Sequence, residues 1–124
     1  MPTYSTSPFV TDLQSTLVVA DDIDEDGITD ATGRAGAFFV VHIINGSDDA
    51  YLNIYDNGNP TLGTTEPDWI FPVQENNTYV VYIDSGVAFG SALSLIGNQS
   101  AGGSAGAAPT NLDVRVMVSD TVRA

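Results

Sequence analysis

The chain has 124 residues, of which 43% are hydrophobic, enough for one domain with a real core and too apolar for a disordered tail. Sixteen acids oppose three arginines with no lysine, and the net charge of −13 argues against nucleic acid or an anionic membrane surface as partner. The lack of cysteine excludes disulfides and thiolate metal sites, and no apolar run reaches the roughly 18 residues that a membrane helix needs.

The polar, proline-containing start, Met1 to Val10, lacks the basic-then-apolar layout of a signal peptide, and residues 1–13 read as a polar N-terminal arm. Beyond it, short apolar runs alternate with Gly, Asn, Asp and Pro, the pattern of an all-β sandwich. Gln14 to Ala20 is the first candidate strand, followed by an acidic loop from Asp21 to Arg34. Ala37 to Ile44 is apolar on both faces, which places it centrally in a sheet. In Tyr51 to Tyr55, Leu52 and Ile54 alternate with Tyr51, Asn53 and Tyr55, as in a half-buried strand.

After a loop dense in Asn, Gly, Pro and Thr, Asp68 to Val73 is extended, and Pro72 makes it an edge or a strand end. Thr78 to Asp84 puts Tyr79, Val81 and Ile83 on one face and Val80 and Tyr82 on the other. Val87 to Ile96, interrupted by glycine, reads as a bent approach into a further strand, and Ser100 to Pro109 as a flexible Gly/Ala/Ser loop. The last strand points Leu112, Val114, Val116 and Val118 inward and Asp113, Arg115 and Met117 outward. The expectation is one all-β domain over residues 14–119, a β-sandwich or jelly roll of about seven or eight strands, with residues 120–124 as a tail.

The sharpest local motif is Asp22-Ile23-Asp24-Glu25-Asp26-Gly27-Ile28-Thr29-Asp30, which follows the D-x-D-x-D-G start of a calcium loop. In that use Asp22, Asp24 and Asp26 converge on a structural calcium ion, Gly27 makes the turn, Ile28 offers its carbonyl and Asp30 acts through water. Gly33 stands where the twelfth, bidentate acid belongs, and no helix flanks the loop. The competing reading is a solvated acidic loop in a chain with thirteen aspartates. Abundant aspartate without lysine points either to a saline habitat or to an acidic protein of an arginine-favouring genome.

His42, the single histidine, lies inside an apolar strand and reads as packed rather than catalytic. There is no nucleophile elbow and no phosphate-cradling glycine loop, so the chain reads as a non-enzyme. Trp69 and the tyrosines offer either cross-strand packing or a sugar-stacking platform. Asn45-Gly46-Ser47, Asn76-Asn77-Thr78 and Asn98-Gln99-Ser100 are glycosylation sequons, a weak signal in a chain so rich in Asn, Ser and Thr.

An ordered series of segments goes further. Phe38 to Ile44 precedes Asn45, then Tyr51-Leu52-Asn53-Ile54-Tyr55-Asp56, Asn59-Pro60-Thr61-Leu62-Gly63-Thr64 and Glu66-Pro67 lead into Trp69-Ile70-Phe71-Pro72-Val73. Ser85 to Leu95 forms a glycine-bounded segment ahead of the Gly/Ala/Ser loop and the closing strand. This layout resembles small virion structural proteins of tailed bacteriophages and archaeal viruses, of the capsid-decoration or head-surface type. The resemblance implies a capsid decoration (cement) or turret protein on the virion surface. It would form a homotrimer or homopentamer and contact the major capsid protein or other virion proteins. Alternatives are a carbohydrate-binding or adhesive module at a fibre or turret tip, meeting a host-surface glycan, and a neck or tail connector ring. The calcium loop does not follow from the resemblance.

Overall fold

Runs of Val, Ile, Phe and Tyr broken by Asn, Asp, Gly and Pro cannot sustain a helical stripe, but they suit pleated strands that bury one face. A computed structural model of the protein describes residues 3–10, 15–24, 27–33, 35–46, 48–99, 109 and 111–119, with side chains from residue 17 onward. The strands are β1 (Thr3–Val10), β2 (Ser15–Asp21), β3 (Gly36–Asn45), β4 (Ala50–Asp56), β5 (Trp69–Val73), β6 (Asn77–Phe89), β7 (Leu93–Asn98) and β8 (Leu112–Ser119). They form two antiparallel sheets, ordered β1-β2-β8-β3-β6 and β5-β4-β7. Among the described residues there is no helix, and hence none long and apolar enough to cross a membrane.

The pairing is nested. β4 pairs with β5, β3 with β6, Ile28 with Leu95 of β7, and β2 with β8. The chain is thus one long antiparallel ribbon, folded at residues 57–68 and rolled so that β3 also meets β8 and β4 also meets β7. This is the double-sheet plan of a jelly roll whose second ribbon strand is reduced to a single bridge. The core lies between the sheets. Val18, Phe38, Val41, Ile43, Leu52, Ile54, Leu93, Leu95, Leu112, Val114 and Val116 are all buried there. Each such side chain contributes about 1.5–3 kcal/mol of transfer free energy.

Several expectations hold and others need correction. Residues 15–20, 37–44, 51–55, 68–73 and 112–118 are strands or nearly so, Gln14 lying outside the described residues, and β5 with Pro72 is an edge. β3 is internal, between β8 and β6. The stretch read as a polar arm contains β1, paired along β2 from Thr3↔Asp21 to Val10↔Ser15. Backbone pairing, not an apolar stripe, makes that strand, so hydropathy misses it. Val87 to Phe89 belong to β6, not to the following strand: the register with β3 jumps from Val40↔Tyr82 to Phe38↔Val87, and β6 bulges between them. Gly86, at φ +77°, sits in that bulge, where a Cβ would lie 2.8 Å from the Phe39 ring. The polar face of β4 is also buried, for Asn53 and Tyr55 have no exposure. The Gly/Ala/Ser loop apart from Pro109, and the tail 120–124, lie outside the described residues.

Candidate functional site

The acidic loop after β2 is built on its own apolar residues. Ile23, Ile28 and Ala31 are buried and enter the core cluster, which pulls the loop against the side of β7. Ile28 and Leu95 exchange both backbone bonds, at 2.7 and 2.8 Å, Ala31 donates to the Leu93 carbonyl at 2.8 Å, and Gly97 donates to the Asp24 carbonyl at 3.1 Å. The loop therefore covers the open edge of the small sheet as a strand would. Gly27 makes this approach possible: its φ is +65°, and a Cβ there would lie 2.1 Å from the Leu95 carbonyl oxygen.

The predicted calcium ligands are placed individually. Asp22 is tied to the turn before β8, where its amide donates to Asp113 Oδ1 at 2.9 Å and its Oδ1 accepts from the Asn111 amide at 3.3 Å. Asp24 Oδ1 accepts from the Gly27 amide at 3.2 Å. The Ile28 carbonyl, assigned to the metal by spacing, accepts from Leu95. Asp30 is exposed, and its amide donates to Ser94 Oγ at 2.9 Å. Asp26 lies outside the described residues, and among the described ones no group of three His, Asp or Glu side chains converges as a metal would require.

Aspartates elsewhere have the same use. Asp56 accepts from the amides of Gly90 and Ser91, both at 2.8 Å, and so clamps the turn between β6 and β7. Asp68 accepts from the Asp56 amide at 2.7 Å, and Asp49 from the Glu75 amide at 2.9 Å. A short carboxylate reaches nearby backbone N–H groups that a longer glutamate would overshoot. Six of the thirteen aspartates, Asp22, Asp24, Asp49, Asp56, Asp68 and Asp113, cap backbone N–H groups in this way, a use that does not depend on the salinity of the habitat.

The outer face of the five-stranded sheet was only partly legible in advance. Register aligns Leu17, Met117, Val40 and Tyr82 in one row across β2, β8, β3 and β6, with Val19, Arg115, His42 and Val80 in the next. Every one of these side chains is half-buried or exposed, and none is acidic. Val80 is 64% exposed and Tyr82 69%. β3 lies inside its sheet as expected, and its apolar outer residues form part of this open face. His42 is thus a half-buried surface group beside Arg115.

A second feature is a concavity of about 330 Å³ at one end of β4 and β5, lined by Asp49, Ala50, Tyr51, Pro72, Val73, Gln74 and Tyr79. The Tyr79 hydroxyl accepts from the Gln74 amide at 3.0 Å, which fixes its ring at the rim. Trp69, the sequence's first candidate for sugar stacking, instead packs edge-to-face on Phe38 at 5.1 Å. Of the sequon asparagines, Asn45 and Asn98 are buried and Asn76 is exposed. Asn53, with both ends of its amide, and the Tyr55 hydroxyl are buried without a hydrogen-bond partner, and burial pushes the Tyr55 pKa above its usual 10.0.

Comparison with protein-family models, with curated proteins and with solved structures finds no match to the chain.

Proposed function

We propose that this jelly roll is a structural subunit of a virus particle, a capsid decoration (cement) or turret protein that works as a homo-oligomer, a trimer or pentamer, on the virion surface. The observation that carries the reading is the pair of acid-free, mainly apolar rows on the outer face, Leu17 to Tyr82 and Val19 to Val80, in a chain of net charge −13. A strongly acidic molecule stays soluble and clear of packaged nucleic acid, while these mainly apolar rows are left to pack on protein. The double-sheet jelly roll, a plan used by viral capsid domains, supports the same reading. So does the ordered resemblance from Phe38 to the closing strand. The partners would be other copies and the major capsid protein. The test is cosedimentation with empty shells assembled from the major capsid protein of the same genome. Saturable binding at a fixed ratio per capsomer is expected, and a protein left wholly in the supernatant would sink the reading.

The concavity favours a second reading, a carbohydrate-binding module at a fibre or turret tip. Tyr51 and Tyr79 line it beside Asp49 and Gln74, the mix of aromatic and polar groups that a sugar needs. Here Tyr51→Ala should abolish binding on a glycan array. An unchanged binding profile would remove this reading.

A further inference from the structure

Sheet edges invite pairing with other chains, and proteins guard them with proline, bulges, lysine or a covering segment. This chain has no lysine, so its guards are of the other kinds. β1 carries Pro8 and a register break beside it. β5 carries Pro72. The outer edge of β7 is covered by the backbone bonds of the acidic loop. β6 ends the five-stranded sheet, and over Asn77–Tyr82 it has no proline and stays in unbroken register with β3. Two of the large hydrophobic side chains most open to solvent, Val80 and Tyr82, sit on this same stretch.

We infer that the edge of β6, which no other described strand pairs with, joins antiparallel to β6 of a second copy of this chain, about a twofold axis near Val81, making two five-stranded sheets into one. This goes beyond the virion reading and stands without it, because a twofold contact can link free subunits or whole rings. Charge selects the partner and its direction. Between Glu75 and Asp84 the strand is uncharged. An axis at Val81 sets Asp84 opposite Thr78 of the second copy, not opposite another acid. It also sets Tyr82 opposite Val80 twice, an aromatic and β-branched pairing that stabilises antiparallel strands. A parallel arrangement would bring Asp84 against Asp84. The bulge that follows, with Gly86 at positive φ, breaks the regular edge, so the contact runs from Thr78 to Asp84.

The test uses light scattering on the full chain, with cysteine cross-linking. Val80→Lys and Tyr82→Lys alter exposed side chains only, so each should keep the native circular dichroism and melting temperature. Each should also halve the mass in solution. The protein has no cysteine, so Val80→Cys and Tyr82→Cys can be prepared separately. Cross-strand neighbours lie about 4.5–5.5 Å apart at Cα, within disulfide reach. An oxidised mixture of the two should give far more linked dimer than either alone. A protein monomeric at every concentration and salt would overturn the inference. So would a mass unchanged by both lysine variants, which would put the contact elsewhere, or single cysteine variants that link as well as the mixture. Failure here would leave shell binding untouched, so the two proposals fail separately.

Discussion

Tyr55→Phe should stabilise the protein. The hydroxyl is fully buried on β4 and meets neither donor nor acceptor. An unpaired buried hydroxyl costs about 1–3 kcal/mol. Its removal leaves an oxygen-sized void of about 15 Å³, which at about 24 cal/mol per Å³ returns about 0.4 kcal/mol. The net gain is about 1 kcal/mol or more, a rise in melting temperature of about 3–5 °C for a chain of this size. The pH dependence adds an independent check. Burial raises the Tyr55 pKa above its unfolded value of 10.0. The folded state therefore keeps its proton where the unfolded chain loses it. That contribution is complete below pH 10.0 and is lost as pH rises towards the raised value in the fold. Phenylalanine does not titrate, so the advantage of Tyr55→Phe should widen above pH 10.0. Urea unfolding of both proteins at neutral and alkaline pH measures this. A variant less stable by 1 kcal/mol or so, or a gap that does not widen, would show that the hydroxyl is hydrogen-bonded and refute the reasoning.

Gly27→Ala should cost about 3 kcal/mol or more, because the new Cβ both strains a positive φ and drives the loop off the Leu95 carbonyl; urea unfolding checks it. Asp56→Ala should lose about 1–2 kcal/mol by freeing the Gly90 and Ser91 amides, with Asp56→Asn intermediate because it keeps one acceptor oxygen; thermal melts in high and low salt separate this from a general charge effect. Backbone bonds to β7 and buried Ile23 and Ile28 hold the acidic loop, so chelation should leave the melting temperature unchanged. A fall of several degrees on chelation, reversed by calcium, would instead establish the ion that the spacing of Asp22 to Asp30 suggests.

Alternation along one strand is a local property, and wherever burial follows it the chain alone is informative. Leu112 to Val118, Tyr79 to Ile83, and Leu52 with Ile54 lie on the faces that their period requires, and Pro72 marks an edge because it cannot donate to a ladder. The candidate sites were less legible. The D-x-D-x-D-G spacing describes which oxygens are near in sequence. What they do depends on β7 arriving beside Ile28 and on the turn at Asn111 arriving beside Asp22. Tyr51 and Tyr79 come together only after β4, β5 and β6 are assembled, so no local pattern announces their concavity.

The sequence by itself determined an all-β, acidic, single-domain chain, with most of its strands and the inward face of each clear strand, because composition and period-two patterning act over a few residues. Tertiary structure alone decided that Thr3–Val10 is a strand, that the acidic loop takes a strand's place, and that no described segment covers the apolar outer face of β3. Those outcomes depend on hydrogen bonds and contacts between segments far apart in the chain, as from Ile28 to Leu95 or from Leu17 across to Tyr82, and no short window of sequence contains both partners.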